Sequence, residues 1–362
     1  MGCIAISFNI AAIAAVIPVI SKELGLVDFE TSRVIPYYMV PYGFGALIYA
    51  PLTRFISYRT VMAGTMMLFA AMSFVCGFAQ SLEIILAARV MMGIAAASAI
   101  PIGLMVIGEL FEKQLRGRLV AGFFSSAFIA SSVGIAVSGV IHWRWLFYIP
   151  GLFAAFLAIG FLLFGSEFLR CRHIGHINYL RLLQNLEARN VCILIFVLSF
   201  LYHGVANWYG IYLSRIYHLS QLTISGCFIV TALGGMFGQL MGGVITDRKG
   251  RLFACRTGVL ILSAGTMLLA GTYPLMVLCL VLLLISTGWT VGHNGLSTTL
   301  TDFPDEDRPM VASMNSFVRF FSGGIGFSAS AYFVERSFSA TFFIIGVLML
   351  MTSLFITKLI PR

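Results

Sequence analysis

Apolar runs long enough to cross a bilayer follow one another along this chain from end to end, separated only by short charged turns. Such runs are continuous rather than alternating, so helices and not strands must do the crossing. The composition agrees: 59% of the residues are hydrophobic and 10% are charged. A water-soluble fold has no way to hide that much apolar surface. The spacing predicts twelve spans, near residues 1–20, 32–53, 60–79, 82–108, 119–140, 145–165, 190–212, 222–246, 253–271, 274–297, 310–332 and 338–357. Residues 1–20 lack a basic leader and a small-residue cleavage site, so they read as a first span and not as a signal peptide. The abrupt start leaves room for a longer natural N-terminus.

The polar stretch 166–189 is the longest connection and splits the spans into two sets of six. The expected domains are therefore 1–165, a linker over 166–189, and 190–362. Basic residues set the orientation. With Met1 on the cytoplasmic side, sixteen Lys and Arg fall in inner loops and ends, and five (Lys22, Arg33, Arg144, Arg215 and Arg336) fall outside. The reading is a multi-pass protein of the inner (cell) membrane with both termini cytoplasmic. The same asymmetry accounts for the net charge of +9 without a nucleic-acid partner. The two halves also echo each other. Arg118 with Gly134 is matched by Arg308 with Gly324 at equal spacing.

Several local patterns carry more specific information. Gly243-Val-Ile-Thr-Asp247-Arg248-Lys-Gly250-Arg251 closes the eighth span. Its glycines permit a tight turn, and its charges can pair near a helix end. Ala50-Pro51-Leu52-Thr53-Arg54 stands at the same place in the first half. Arg89, Gly93, Pro101 and Glu109 mark the fourth span. Gly134 to Gly139 in the fifth span is followed by Trp143-Arg144-Trp145-Leu-Phe147. Gly234, Gly238 and Gly242 line one face of the eighth span and predict close helix packing.

In these residues the chain resembles the major facilitator superfamily, nearest to its drug/proton-antiporter-like exporter branch. The resemblance implies an all-α membrane fold, with two six-helix bundles related by a pseudo-twofold and a pathway between them. It implies a secondary transporter of a small organic solute, working as a monomer by alternating access, with efflux driven by protons. Import or facilitation of an anionic or neutral metabolite is the alternative, and a transport-inactive sensor the distant one. In the family the motif at Gly243, Asp247, Arg248, Gly250 and Arg251 latches one conformation. Four positions depart from the family pattern: Arg54 replaces an acid, Ser57 a glycine, Ile135 a proline, and Ser138 the first glycine of a pair.

By the same resemblance spans one, four, seven and ten line the pathway. The polar residues on them are Asn9, Arg89, His203 and Asn207 with Trp208, and His293 and Asn294 with Trp289. Arg319 in the eleventh span is a further candidate, reaching either the pathway or Asp302–Asp307. An arginine as deep as Arg89 costs several kcal/mol unless paired or wet, so it is expected to face a cavity. No Asp or Glu falls at mid-span. With Arg89 as the fixed charge, Coulomb's law favours an anionic or neutral solute. A proton carrier must then be a histidine, since its reference pKa of about 6.5 lies near working pH. His203 is the first choice and His293 the second. The seven cysteines form no CxxC pair, and no nucleotide, zinc or nucleophile motif is present, so no cofactor, metal or enzymatic role is expected.

Overall fold

The computed structural model describes residues 2–164, 178–299 and 308–359, and helix is the regular secondary structure among them. The long helices are α1 (Gly2–Leu24), α3 (Pro36–Leu52), α4 (Tyr58–Phe78), α5 (Leu82–Ala96), α6 (Ala99–Leu110), α7 (Lys113–Ser138) and α8 (Trp145–Phe164). After them come α10 (Leu186–Ala206), α11 (Tyr209–Tyr217), α12 (Gln221–Lys249), α13 (Arg251–Leu268), α14 (Leu275–Thr299), α15 (Arg308–Arg336) and α16 (Phe338–Leu359). Two short helices, α2 (Asp28–Thr31) and α9 (Tyr179–Gln184), complete the set. Among the described residues nine stretches are long and apolar enough to cross a membrane. Three other expected spans fall on α3, α7 and α15. The first is only 17 residues long, the second has a shorter apolar part over Gly122–Ser138, and the third is rich in Ser, Gly and Arg. The side chain of Glu109, the run Asp302–Asp307 and the first part of the expected linker lie outside the described residues. So do several side chains of the orientation count, from Lys113 and Arg116 to Arg308 and Lys358.

Local chemistry explains where the helices begin and break. Ser57, Asn185 and Ser220 cap α4, α10 and α12 by accepting backbone N–H bonds in the first turn. The fourth span is broken at Ala97–Ser98, four and three residues before Pro101. Proline has no N–H to give and its ring crowds the carbonyl four residues back, so the helix restarts there. Only Gly250 separates α12 from α13, at φ 86° and ψ 162°, a conformation open to glycine alone.

By contact the chain divides into two compact units. The first is Met1–Asn178 with Pro304–Phe321, and the second is Tyr179–Phe303 with Ser322–Arg362. In the first, α1 packs on α7 and α8, α3 on α5, and α4 on α5 and α8. In the second, α14 lies against both α12 and α13, and α16 against α13 and α10. Glycines set the closest approaches. A methyl group on Gly238 would stand 2.5 Å from the Thr287 carbonyl oxygen, and one on Gly234 would stand 2.5 Å from that of Leu283. The Gly234–Gly238–Gly242 face is thus the α12–α14 seam, as its spacing predicts.

The internal repeat is visible in the same contacts. A methyl on Gly134 would lie 2.1 Å from the Phe8 carbonyl oxygen, and one on Gly326 would lie 2.1 Å from that of Phe200. The two pairs are 192 residues apart at both members. Gly45 over Ile94 and Gly238 over Thr287 correspond at 193. The counterpart of Gly134 is therefore Gly326, two places beyond the Gly324 that sequence spacing suggests. Large apolar side chains cover the outside of both units, with Phe164 and Met276 more than three-quarters exposed. Such a belt suits hydrocarbon, not water.

Candidate functional site

The first unit holds a buried cation. Arg89 on α5 is 2% exposed and Asn9 on α1 is 1% exposed. The guanidinium donates from Nη1 to Asn9 Oδ1 at 2.6 Å and from Nε to the Val34 carbonyl at 3.0 Å. The Tyr38 ring lies 4.2 Å beneath its central carbon. Asn9 is itself held, donating from Nδ2 to the Leu146 carbonyl at 2.9 Å. Among the described residues every partner of Arg89 is neutral. Where the sequence leads one to expect a guanidinium facing the cavity between bundles, dipoles and a ring solvate Arg89 inside the helix packing of the first unit. Arg319 on α15 belongs to the same unit, with its guanidinium carbon 5.8 Å from the Phe320 ring. The Phe320 ring in turn lies tilted against Tyr42, with centroids 3.9 Å apart.

The second unit holds both candidate histidines. Tyr202 on α10 and Trp289 on α14 stack in parallel at 4.2 Å. His203 lies 5.9 Å from the indole and 5.1 Å from the Tyr202 ring. His293 lies 5.2 Å from the indole, and its Nδ1 is 3.1 Å from Ser297 Oγ. One tryptophan is thus flanked by two imidazoles from two helices. Both are within the roughly 6 Å at which a ring face attracts a cation. Protonating either would place its charge against the indole.

Three candidates lie apart from this cluster. Trp208 is fully buried, donates to Ser330 Oγ at 2.8 Å and stacks on Phe327 at 4.3 Å. Asn294 donates to the Gln239 carbonyl at 3.2 Å, across the α12–α14 seam. Asn207 ends α10 at the break before α11. The motif over Gly243–Arg251 forms about the last two turns of α12, the Gly250 link and the start of α13. Asp247, Arg248 and Lys249 are exposed. Lys249 Nζ stands 4.8 Å from the Phe253 ring.

A further polar centre escapes sequence reasoning. Glu23, at the end of α1, accepts from Trp143 Nε1 at 2.6 Å and from Arg144 at 3.0 and 3.2 Å, and lies 2.9 Å from His142 Nε2. Arg144 Nη1 also reaches the Gly77 and Ala79 carbonyls, both at 2.7 Å. The Trp143-Arg144 sequence is conspicuous, but its partner lies 120 residues earlier.

Comparison with known proteins places this geometry in context. A family model described as Major Facilitator Superfamily matches residues 1–327. The "Probable efflux pump mfs2" of Aspergillus flavus is 28% identical over 156 residues, 42% of this chain and 37% of that protein. "Multidrug resistance protein 3" of Bacillus subtilis is 28% identical over 154 residues, 41% of this chain and 30% of its own length. The chain therefore aligns with about a third of these curated relatives. An uncharacterized transporter of Buchnera aphidicola is 22% identical over 80% of this chain and 72% of that protein. Two solved structures share the fold at 14% identity. A D-xylose-proton symporter has a TM-score of 0.81 and covers 99% of this chain and 96% of that one. The human organic anion transporter MFSD10 (TETRAN) has a TM-score of 0.71 and covers 98% of each.

Proposed function

The chain belongs to the major facilitator superfamily, and from that premise we propose that it expels a small organic solute in exchange for protons. It is a multi-pass membrane transporter and not an enzyme. The finer reading has twelve spans in two six-helix bundles, 1–165 and 190–362, joined by 166–189 and related by a pseudo-twofold. Both termini are cytoplasmic in the inner (cell) membrane, and a monomer works by alternating access without nucleic acid or cofactor. The excess of inner Lys and Arg and the contacts repeating at 192 and 193 residues support it. Efflux is supported by the names of the relatives.

The observation that carries proton coupling is the pair of imidazoles on Trp289. Mid-span carboxylates are missing from the sequence, so His203 and His293 are the groups able to load and release a proton near neutral pH. In this reading the solute meets Trp289, Tyr202 and Asn207 in the second unit; in the first unit Asn9 holds Arg89 in place, and Arg319 is a second fixed cation. Trp208 and Asn294 hold the helices that carry the site. Asp247, Arg248 and Arg251 serve as a latch that is made and broken in the cycle, and Gly243 and Gly250 shape its turn.

The test uses proteoliposomes loaded with cationic, neutral and anionic fluorescent dyes under an imposed pH gradient. Wild type should drive at least one dye against its gradient. His203→Asn should abolish that drive and leave downhill exchange. Flux indifferent to the pH gradient would leave a facilitator.

The second reading, import or facilitation of an anionic or neutral metabolite, is favoured by Arg89 and its wholly neutral set of described partners. Transport restricted to anionic and neutral dyes, in either direction, would select it. Loss of anion flux in Arg319→Gln would strengthen it.

A further inference from the structure

Two thiols meet on the α12–α14 seam. Cys227 lies in the second turn of α12, and Cys279 in the second turn of α14. Their sulfurs are 3.8 Å apart. That is van der Waals contact, well beyond the roughly 2.05 Å of a disulfide. The spacing is set by the helices and not by a loose loop. Farther along the same seam Gly234 and Gly238 bring the backbones together, and Thr287 Oγ1 donates to the Gly234 carbonyl at 2.9 Å.

The surroundings decide what could bind. Cys227 is 2% exposed, whereas Cys279 is half-buried. Beside Cys279, Met276 is 79% exposed and Leu280 is 56% exposed. Access to the sulfurs is thus through an apolar belt. A hydrated ion would have to shed its water there. Among the described residues no group of three or more His, Cys, Asp or Glu stands together. A four-coordinate zinc site is therefore not furnished. Two soft donors, closely spaced and reached from an apolar side, suit a neutral thiophile that needs two sulfurs.

We propose that Cys227 and Cys279 form a dithiol site for a neutral, lipid-soluble thiophilic ligand, of which a monoaryl trivalent arsenical is the simplest example. The step balances without an oxidant. The arsenic–oxygen double bond of the arsenoxide is lost and two arsenic–sulfur bonds form. Both thiol protons leave with the oxygen as one water, and arsenic stays trivalent. The product ties α12 covalently to α14.

The test is intact-mass analysis of the purified full chain after exposure to phenylarsine oxide. One adduct per chain is expected, equal to the reagent less one water. It should be removed by a 1,2-dithiol and resist a monothiol. Proteolysis should recover the adduct on two peptides, one holding Cys227 and one holding Cys279. Cys227→Ser and Cys279→Ser should each lose the adduct completely, while Cys192→Ser should keep it. Absence of an adduct on wild type, removal by a monothiol, or mapping to any of the other five cysteines would overturn the proposal. If either serine variant fails to fold, the peptide map of wild type decides alone.

Discussion

Replacing Asn9 with leucine should destabilise this protein more than its small change in volume suggests. The side chain does two things at once. Its Oδ1 accepts from Arg89 at 2.6 Å, and its Nδ2 satisfies the Leu146 carbonyl at 2.9 Å. Leucine does neither, and both sites are sealed, with Asn9 1% and Arg89 2% exposed. A hydrogen bond to a charged group is worth about 1.5–3 kcal/mol, and an orphaned buried carbonyl adds about 1 kcal/mol. The expected cost is therefore roughly 3 kcal/mol. At roughly 2–4 °C per kcal/mol this lowers the melting temperature of the purified protein by on the order of 6–12 °C. The double variant Asn9→Leu, Arg89→Met is the sharper measurement. It removes the uncompensated charge as well as its partner, and removing both members of a buried polar pair is far cheaper than removing one. The double variant should regain at least half of the lost stability. An Asn9→Leu protein melting within about 1 °C of wild type, or a double variant less stable than the single, would refute the claim that Asn9 solvates Arg89.

Glu23→Ala should cost about 2–4 kcal/mol, because it strands the fully buried Trp143 N–H and two Arg144 donors; Glu23→Gln, which keeps one acceptor, should cost about half as much by the same melting assay. Gly134→Ala and Gly326→Ala should destabilise alike, by about 1–3 kcal/mol each, since each methyl meets a backbone carbonyl at 2.1 Å. Unequal sensitivity of the two in parallel melts would break the correspondence between the halves. Gly250→Ala should cost about 1–3 kcal/mol through strain at φ 86°, and α12 and α13 should then fray at their junction, seen as faster amide exchange there.

The helices were legible because their cause is local. A run of apolar residues, a serine or asparagine cap and a proline break are each read within a few positions, and the hydrocarbon permits few other folds. The register of the repeat was not. Gly323, Gly324 and Gly326 stand together, and spacing from Arg308 selects the second of them. The close approach selects the third, because what is matched is a helix crossing, Phe8 to Gly134 and Phe200 to Gly326, and a crossing involves two chain segments at once. Partners distant in sequence are hidden for the same reason. Asn9 stands 80 positions from Arg89, and Glu23 stands 120 from Trp143.

Within the candidate site the same helical geometry sorts the right inferences from the wrong ones. At 100° per residue, a neighbour four places on is turned about 40°, and a neighbour five places on about 140°. His293 is four places from Trp289 and shares its face; Asn294 is five places away and points across the seam to α12 instead. Trp208 is five places from His203 and follows the break at Asn207, so it turns to Phe327 and Ser330. Grouping polar and aromatic residues by proximity along the chain therefore collects two faces of one helix. The ring contacts themselves leave Tyr202, His203, Trp289 and His293 together, four rings from two helices, with the two imidazoles against a single indole. The fixed cation Arg89 stays with the first unit, where neutral dipoles hold it. A charge so enclosed cannot be gained and lost in a cycle, so the proposed proton coupling rests on those imidazoles and not on Arg89.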